Sequence, residues 1–257
     1  MTTILEARAL SRSFAGFTAV DAVDLKIEEG TIHAMIGPNG AGKTTCFNLL
    51  TRLLEPTAGR IMFAGHDITR VKPDVVARSG LVRSFQISAV FSQLTVHENV
   101  RLAVQRHRGH SFDWWRSDKV LQTHDRRASE LLQEVGLSAY ARHRAGELSY
   151  GSKRALELAT TLALEPRMLL LDEPMAGMGV EDIAHATELI RKAAQGRTVL
   201  MVEHNLSVVS QLCDRITVLA RGKVIAEGDY ASIAADERVI EAYLGRPKRK
   251  AGEALHA

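Results

Sequence analysis

GPNGAGKTT, Gly37 to Thr45, is the stretch from which the rest of the chain is read. Its nine residues are Gly37, Pro38, Asn39, Gly40, Ala41, Gly42, Lys43, Thr44 and Thr45. They fit the spacing G-x-x-x-x-G-K-[ST], the phosphate-binding loop. Gly40 and Gly42 let the backbone turn tightly, so consecutive N–H groups point inward at phosphate oxygens. A helix starting near Gly42 adds its positive N-terminal end. Lys43 can reach β- and γ-phosphates, and the Thr44 hydroxyl can hold Mg²⁺. Both flanks agree with the motif. Residues 31–36 (TIHAMI) are β-prone, and residues 46–54 place Phe47, Leu50, Leu53 and Leu54 at helical spacing.

Outward from the loop, the composition is that of an ordinary globular protein. The 257 residues are 46% apolar and 25% charged, enough for one large domain or a domain with a subdomain. A net charge of +3 does not by itself argue for nucleic acid. The two cysteines, Cys46 and Cys213, form no CxxC spacing and are expected as buried free thiols in a reducing compartment. The first residues carry Glu6 and Arg8 and lack the apolar run of a signal peptide. Nowhere do about 18 apolar residues run unbroken, so no membrane span is expected.

Two strands are expected before the loop, over residues 3–10 and at Val23, Leu25 and Ile27, where apolar residues alternate with polar ones. Phe14 falls in the turn between them, with Phe17 close behind. Either Phe14 stacks on a purine base or both rings pack the hairpin. After the loop, the pattern predicts strands over 59–64 and 81–85, and a short helix over 73–78. Thr95 and Glu98 form a capping box, which predicts a helix over 96–105. Residues 107–119, with Trp114 and Trp115, read as an insertion loop, and helical spacing resumes from Leu121 until Gly136.

A helix over 147–164 follows, closed by Pro166. Met168 to Leu171 is a continuous apolar run, as a buried parallel strand requires, and so is 198–202. Between these strands lies a helix over 181–194, and Asn205 caps another over 206–213. A hairpin turns at Arg221-Gly222, and one last helix runs to about Leu244. The remainder, GRPKRKAGEALHA, is basic, lacks a hydrophobic pattern and is expected to be disordered.

Lys43, Asp172, Glu173 and His204 all follow apolar strands, at the sheet edge where ligands bind in open parallel sheets. With a phosphate loop present, Asp172 can hold Mg²⁺ together with Thr44. Glu173 points elsewhere and can polarise a water in line with the γ-phosphate. His204 can hydrogen-bond that phosphate or be structural, and Gln86 can meet Mg²⁺ or the attacking water. The remaining histidines, His107, His110, His124 and His143, lack metal-ligand spacing.

Taken together, these residues resemble the ATP-binding cassette family over about residues 4–245. The most specific part is LSYGSKR, Leu148 to Arg154, which is similar to the family signature. The resemblance implies an α/β fold: a P-loop NTPase (RecA-like) core with an antiparallel β subdomain and an inserted α-helical subdomain at about 90–165. Residues 1–245 would be a single domain and 246–257 a tail. It implies ATP and Mg²⁺ as cofactors, Phe14 as adenine-stacking aromatic, and Gly37 to Thr45 as the nucleotide cradle. Ser149 and Gly151 would contact the γ-phosphate of an ATP held by the other subunit. Asp172, Thr44 and Gln86 would serve the metal, with Glu173 as base, Gln86 as the Q-loop glutamine and His204 as the switch histidine.

FQ…LTVHENV, SYG, DEPMAGM, VEHNL and AYLG resemble the first ATPase of branched-chain amino acid importers. The implied partners are integral-membrane permeases, a second ATPase (different or identical) and an extracytoplasmic substrate-binding protein, without nucleic acid. The implied location is the cytoplasmic face of the inner membrane. Two residues depart from the pattern. Ser152 ends the signature where Gln or Glu is usual, and Gly179-Val180 stand where Asn or Asp, then Pro, is usual. The second departure bears on coupling between subunits rather than on ATP binding. The alternatives are a soluble cassette acting on nucleic acid or ribosomes, a phosphate-loop kinase, and a regulatory ATP binder with little turnover.

Overall fold

A computed structural model describes residues 2–84, 90–107 and 118–244. The chain opens with two long strands, β1 (Thr3–Phe14) and β2 (Phe17–Glu28), then β3 (Ile32–Ile36) and α1 (Lys43–Leu50). Next come β4 (Ala58–Phe63), β5 (His66–Asp67), α2 (Pro73–Arg78) and β6 (Leu81–Ser84). Three helices follow: α3 (Val96–His107), α4 (Asp118–Glu134) and α5 (Tyr150–Leu162). The last part alternates β7 (Met168–Asp172), α6 (Val180–Ala193), β8 (Thr198–Val202) and α7 (Leu206–Leu212). It closes with β9 (Arg215–Ala220), β10 (Lys223–Gly228), α8 (Tyr230–Ala235) and α9 (Glu237–Leu244).

Two sheets form. One is antiparallel, in the order β2-β1-β4-β5, and the other runs β10-β9-β3-β8-β7-β6. In the second sheet every pairing from β9 to β6 is parallel, and only β10 is antiparallel. Every residue of β3, β7 and β8 is buried, which explains their continuous apolar runs. Their side chains alternate between two cores. Ala34, Leu169, Leu171, Val199 and Met201 face one core with α3, α4 and α5, while Met35, Leu170, Leu200 and Val202 face the other with α1 and the antiparallel sheet. This is the α/β architecture expected, and it brings the C-terminal ends of β3, β8 and β7 side by side.

Several expectations change in detail. Phe14 ends β1 and pairs with Phe17 across the turn, rather than lying in the turn. Helix α1 stops at Leu50 instead of reaching residue 54, because Arg52 adopts a left-handed conformation (φ 62°). The single last helix is two: Asp229 caps α8 and Asp236 separates it from α9, its Oδ1 accepting the Arg238 N–H. The Thr95 capping box is present, with Thr95 N donating to Glu98 Oε2 (2.8 Å) and Glu98 N to Thr95 Oγ1 (3.1 Å). Trp114, Trp115, His110 and the basic tail lie outside the described residues. No described helix is long and apolar enough to cross a membrane.

Candidate nucleotide site

The loop between β3 and α1 has the backbone that its glycines permit. Gly40 and Gly42 have φ of 76° and 101°. At Gly42 a Cβ would stand 2.5 Å from the Ala19 carbonyl oxygen, so β2 closes on the loop. Gly42 is the N-cap of α1 and Lys43 its first residue, which aims the helix N-terminus into the loop. Lys43 Nζ donates across the loop to the carbonyls of Gly37 (2.7 Å) and Pro38 (3.1 Å). Burial pulls the Lys43 ammonium below its ordinary range, and the nearby Glu173 and Asp172 carboxylates oppose that shift. One lysine thus feels both acidic residues, which places the loop and the end of β7 around one small volume.

Asp172 is the last residue of β7 and buried, paired with Val202 of β8. Arg83, from β6, forms an ion pair with Asp172 and also donates to the Asn48 side chain of α1. Glu173 follows in a left-handed conformation (φ 47°), and its N–H bonds the Val202 carbonyl (3.0 Å). A non-glycine residue in that region is strained, and such strain collects at sites where a side chain must be aimed. His204 is exposed, two residues beyond β8. Asn205 caps α7 as expected, accepting from the N–H groups of Ser207 and Val208.

Thr44 is exposed at the start of α1, the helix that follows β3, and Asp172 ends β7, one strand beyond β8; a hydroxyl and a carboxylate are both hard oxygen donors. Among the described residues no cluster of three or more His, Cys, Asp or Glu assembles. Such oxygens are of the kind Mg²⁺ takes, one or two from protein with the rest from phosphate and water, and the Asp172 carboxylate is paired with Arg83 here. Gln86, expected at the same place, lies outside the described residues.

Phe14 is 39% exposed and Phe17 67%, so neither ring is used in a core. The Arg12 guanidinium lies 4.6 Å from the Phe14 centroid. Ser149 is the N-cap of α5: its Oγ accepts the Ser152 N–H and donates to the Ser152 hydroxyl (3.0 Å). The unusual Ser152 thus joins the cap. Tyr150 donates to the Ala176 carbonyl (2.9 Å), tying the start of α5 to the loop after β7. Gly151 sits near Asp182 of α6, where an added Cβ would stand 3.5 Å from a carboxylate oxygen.

The family model of the ABC transporter matches residues 20–176, more than half of the chain, from within β2 to the loop after β7. The chain belongs to the ATP-binding cassette transporter family. A second model, described as a branched-chain amino acid ATP-binding cassette transporter, matches residues 223–248. The chain is similar to the high-affinity branched-chain amino acid transport ATP-binding protein BraF of Pseudomonas aeruginosa, at 38% identity over 252 residues, 94% of this chain and 98% of that protein. It is similar to LivG of Escherichia coli, a protein of the same description, at 34% over 254 residues with the same coverage. Among solved structures, a nucleotide-free ATP-binding cassette from an ABC transporter superposes with a TM-score of 0.82 at 28% identity, covering 95% of this chain and 100% of that one. The ADP conformation of the cassette MJ1267 gives 0.79 at 30% identity, covering 96% and 100%.

This cassette binds ATP and is an ATPase. That membership sets aside the kinase and the nucleic-acid cassette. Two contacts of the cassette carry no sequence signal that the motifs supplied. One is Arg83 on Asp172. The other is Tyr243 of α9, whose phenol is pushed by burial above its ordinary pKa while the Gly37 backbone opposes that shift. The arginine belongs to no recognised motif, and the motif AYLG, which contains the tyrosine, says nothing of a glycine 206 residues earlier.

Proposed function

We propose that this chain is the ATP-hydrolysing subunit of a membrane importer for branched-chain or related amino acids. The single observation that carries the substrate class is similarity along nearly the whole chain to BraF and LivG. The match of the chain's end to the branched-chain model supports the same branch. The chain acts as one domain, residues 1–245, with a helical subdomain at about 90–165 and a basic tail at 246–257.

In this reading Gly37 to Thr45 wrap the phosphates and Phe14 stacks on adenine, with Arg12 behind the ring. Thr44 and Asp172 would hold Mg²⁺, joined by Gln86; when bound, the ion neutralises charge on the β- and γ-phosphates. Glu173 accepts a proton from the attacking water, and His204 hydrogen-bonds the γ-phosphate. Two cassettes close with ATP between Lys43 and Thr44 of one chain and Ser149 and Gly151 of the other. The second cassette is a different ATPase or another copy of this chain. Closure favoured by ATP and not by ADP moves permease helices docked beside residue 86 and the helical subdomain. An extracytoplasmic binding protein delivers the substrate, and the cassette sits peripherally on the cytoplasmic face of the membrane.

The test is an affinity pull-down of the chain from gently solubilised membranes of its native cell, followed by mass spectrometry. The expected result is two permease chains and a second ATPase. Recovery of ribosomes or nucleic acid without any membrane protein would overturn the proposal.

A further inference from the structure

Glu203 stands beside His204 in the stretch VEHNL, and no role has been given to it above. It follows β8 directly and is fully buried. Its Oε1 accepts the Met175 N–H at 3.1 Å. Its Oε2 accepts the N–H groups of His204 at 3.0 Å and Asn205 at 3.2 Å. Met175 is two residues past Glu173, in a turn where the Ala176 N–H bonds the Glu173 carbonyl (3.0 Å). One carboxylate therefore holds two loops that leave adjacent parallel strands. One loop carries Glu173 and the other carries His204.

Such a carboxylate is costly to bury, and its two oxygens find three backbone donors here, Met175 buried and His204 and Asn205 partly so. Either loop alone could have been satisfied by a neutral side chain with one acceptor. Here the two loops are met by separate oxygens, and a carboxylate offers two acceptor oxygens where an amide or hydroxyl offers one. The second link between the loops is the Glu173 N–H to Val202 carbonyl bond. Together they fix the left-handed backbone at Glu173 relative to the backbone of His204.

We propose that Glu203 is a positioning residue for ATP hydrolysis: it clamps the Glu173 loop to the His204 loop, so that base and γ-phosphate contact move as one unit. This rests on the roles given to Glu173 and His204 above. The clamp's hydrogen bonds go to Met175, His204 and Asn205, and none of them goes to Gly37 to Thr45 or to Phe14. Turnover therefore depends on it, and nucleotide affinity does not.

The test compares Glu203→Gln with wild type in the full-length chain, measuring kcat and KM for ATP, Kd for a fluorescent ATP analogue, and Tm. The amide keeps the size of the side chain but turns an NH₂ group toward one set of N–H donors, which breaks one half of the clamp. The expected result is a kcat lower by about tenfold or more, from a lost hydrogen bond to a charged group, with Kd within about twofold of wild type. In a His204→Ala background the same change should lower kcat much less, because the clamp then has nothing to align. Glu203→Ala leaves three backbone donors without this acceptor and serves only as a folding control. Wild-type kcat in Glu203→Gln overturns the proposal, and so does a parallel loss of kcat, Kd and Tm, which marks a merely structural carboxylate. Glu173→Gln in parallel separates the two readings: near-wild-type turnover in that variant removes Glu173 as base, whatever Glu203→Gln does.

Discussion

His33 makes the stability of this cassette depend on mild acid. It lies in the middle of β3, fully buried, between Leu200 of β8 and Arg215 of β9. Nε2 shares a hydrogen bond with Thr217 Oγ1 at 2.8 Å, and Nδ1 has no partner. Charging the ring would bury a cation with one N–H unsatisfied, so burial, and then the charge of Arg215, depress its pKa from 6.5 to about 4. The sign follows directly. Between those values the unfolded chain takes up a proton that the folded chain refuses, so stability falls as pH falls. The contribution is intact above the unfolded pKa and is lost down to the folded one, about 3 kcal/mol in all. Between pH 7 and pH 5 the loss from this residue is about 2 kcal/mol. Urea denaturation at both pH values checks it, comparing wild type with His33→Val. The variant is less stable at pH 7, having lost the Thr217 bond, but should lose about 2 kcal/mol less than wild type on acidification. Subtraction removes the other nine histidines and the carboxylates. Equal pH dependence in the two proteins would refute the argument.

Replacing Glu173 by Gln should leave ATP binding intact and lower kcat by roughly 10²–10⁴-fold, read by phosphate release at saturating ATP. Gly42→Ala should weaken ATP binding strongly, because its Cβ would stand 2.5 Å from a carbonyl oxygen at φ 101°. Gly40→Ala, in open space at φ 76°, should cost only about 1–2 kcal/mol of backbone strain in a denaturation experiment. Arg83→Leu strips the ion pair from the buried Asp172 and should lower stability by about 3–5 kcal/mol, measured by urea titration. The Cys46 and Cys213 thiols, both pushed up to about 12 by burial, should resist alkylation of the folded protein at pH 8, as mass spectrometry would show.

What the sequence makes legible follows from where the chemistry is local. Phosphate binding needs consecutive backbone N–H groups, so its glycines, Lys43 and Thr44 crowd into nine residues and can be read together. Central parallel strands are covered on both faces, and β7 and β8 announce themselves as unbroken apolar runs. The end of the chain is harder. Ile233, Val239, Ile240 and Tyr243 keep a near-helical spacing across the break at Asp236, and the apolar pattern outweighs the capping signal that Asp236 carries. Arg83 is invisible for a different reason. Its role depends on β6 lying beside β7 in a register that sets it opposite Leu170, and no local rule predicts that register.

Glu203 shows how the two kinds of information combine. In sequence it is the residue before a histidine, and the histidine draws the attention because imidazole has obvious chemistry. Its meaning appears only when β7 and β8 are paired, since Met175 lies 28 residues earlier. The left-handed backbone at Glu173 is of the same kind: a strained conformation persists only where surrounding bonds over-determine it. Here those bonds are the Val202 carbonyl, the Ala176 turn and the Glu203 carboxylate on Met175. A cassette that must hydrolyse ATP only when closed gains from such a frame. In the proposed mechanism the Glu173 and His204 loops are joined at the strand ends and shift together relative to the γ-phosphate. On this argument the residue that joins them matters as much as the residues that touch the nucleotide.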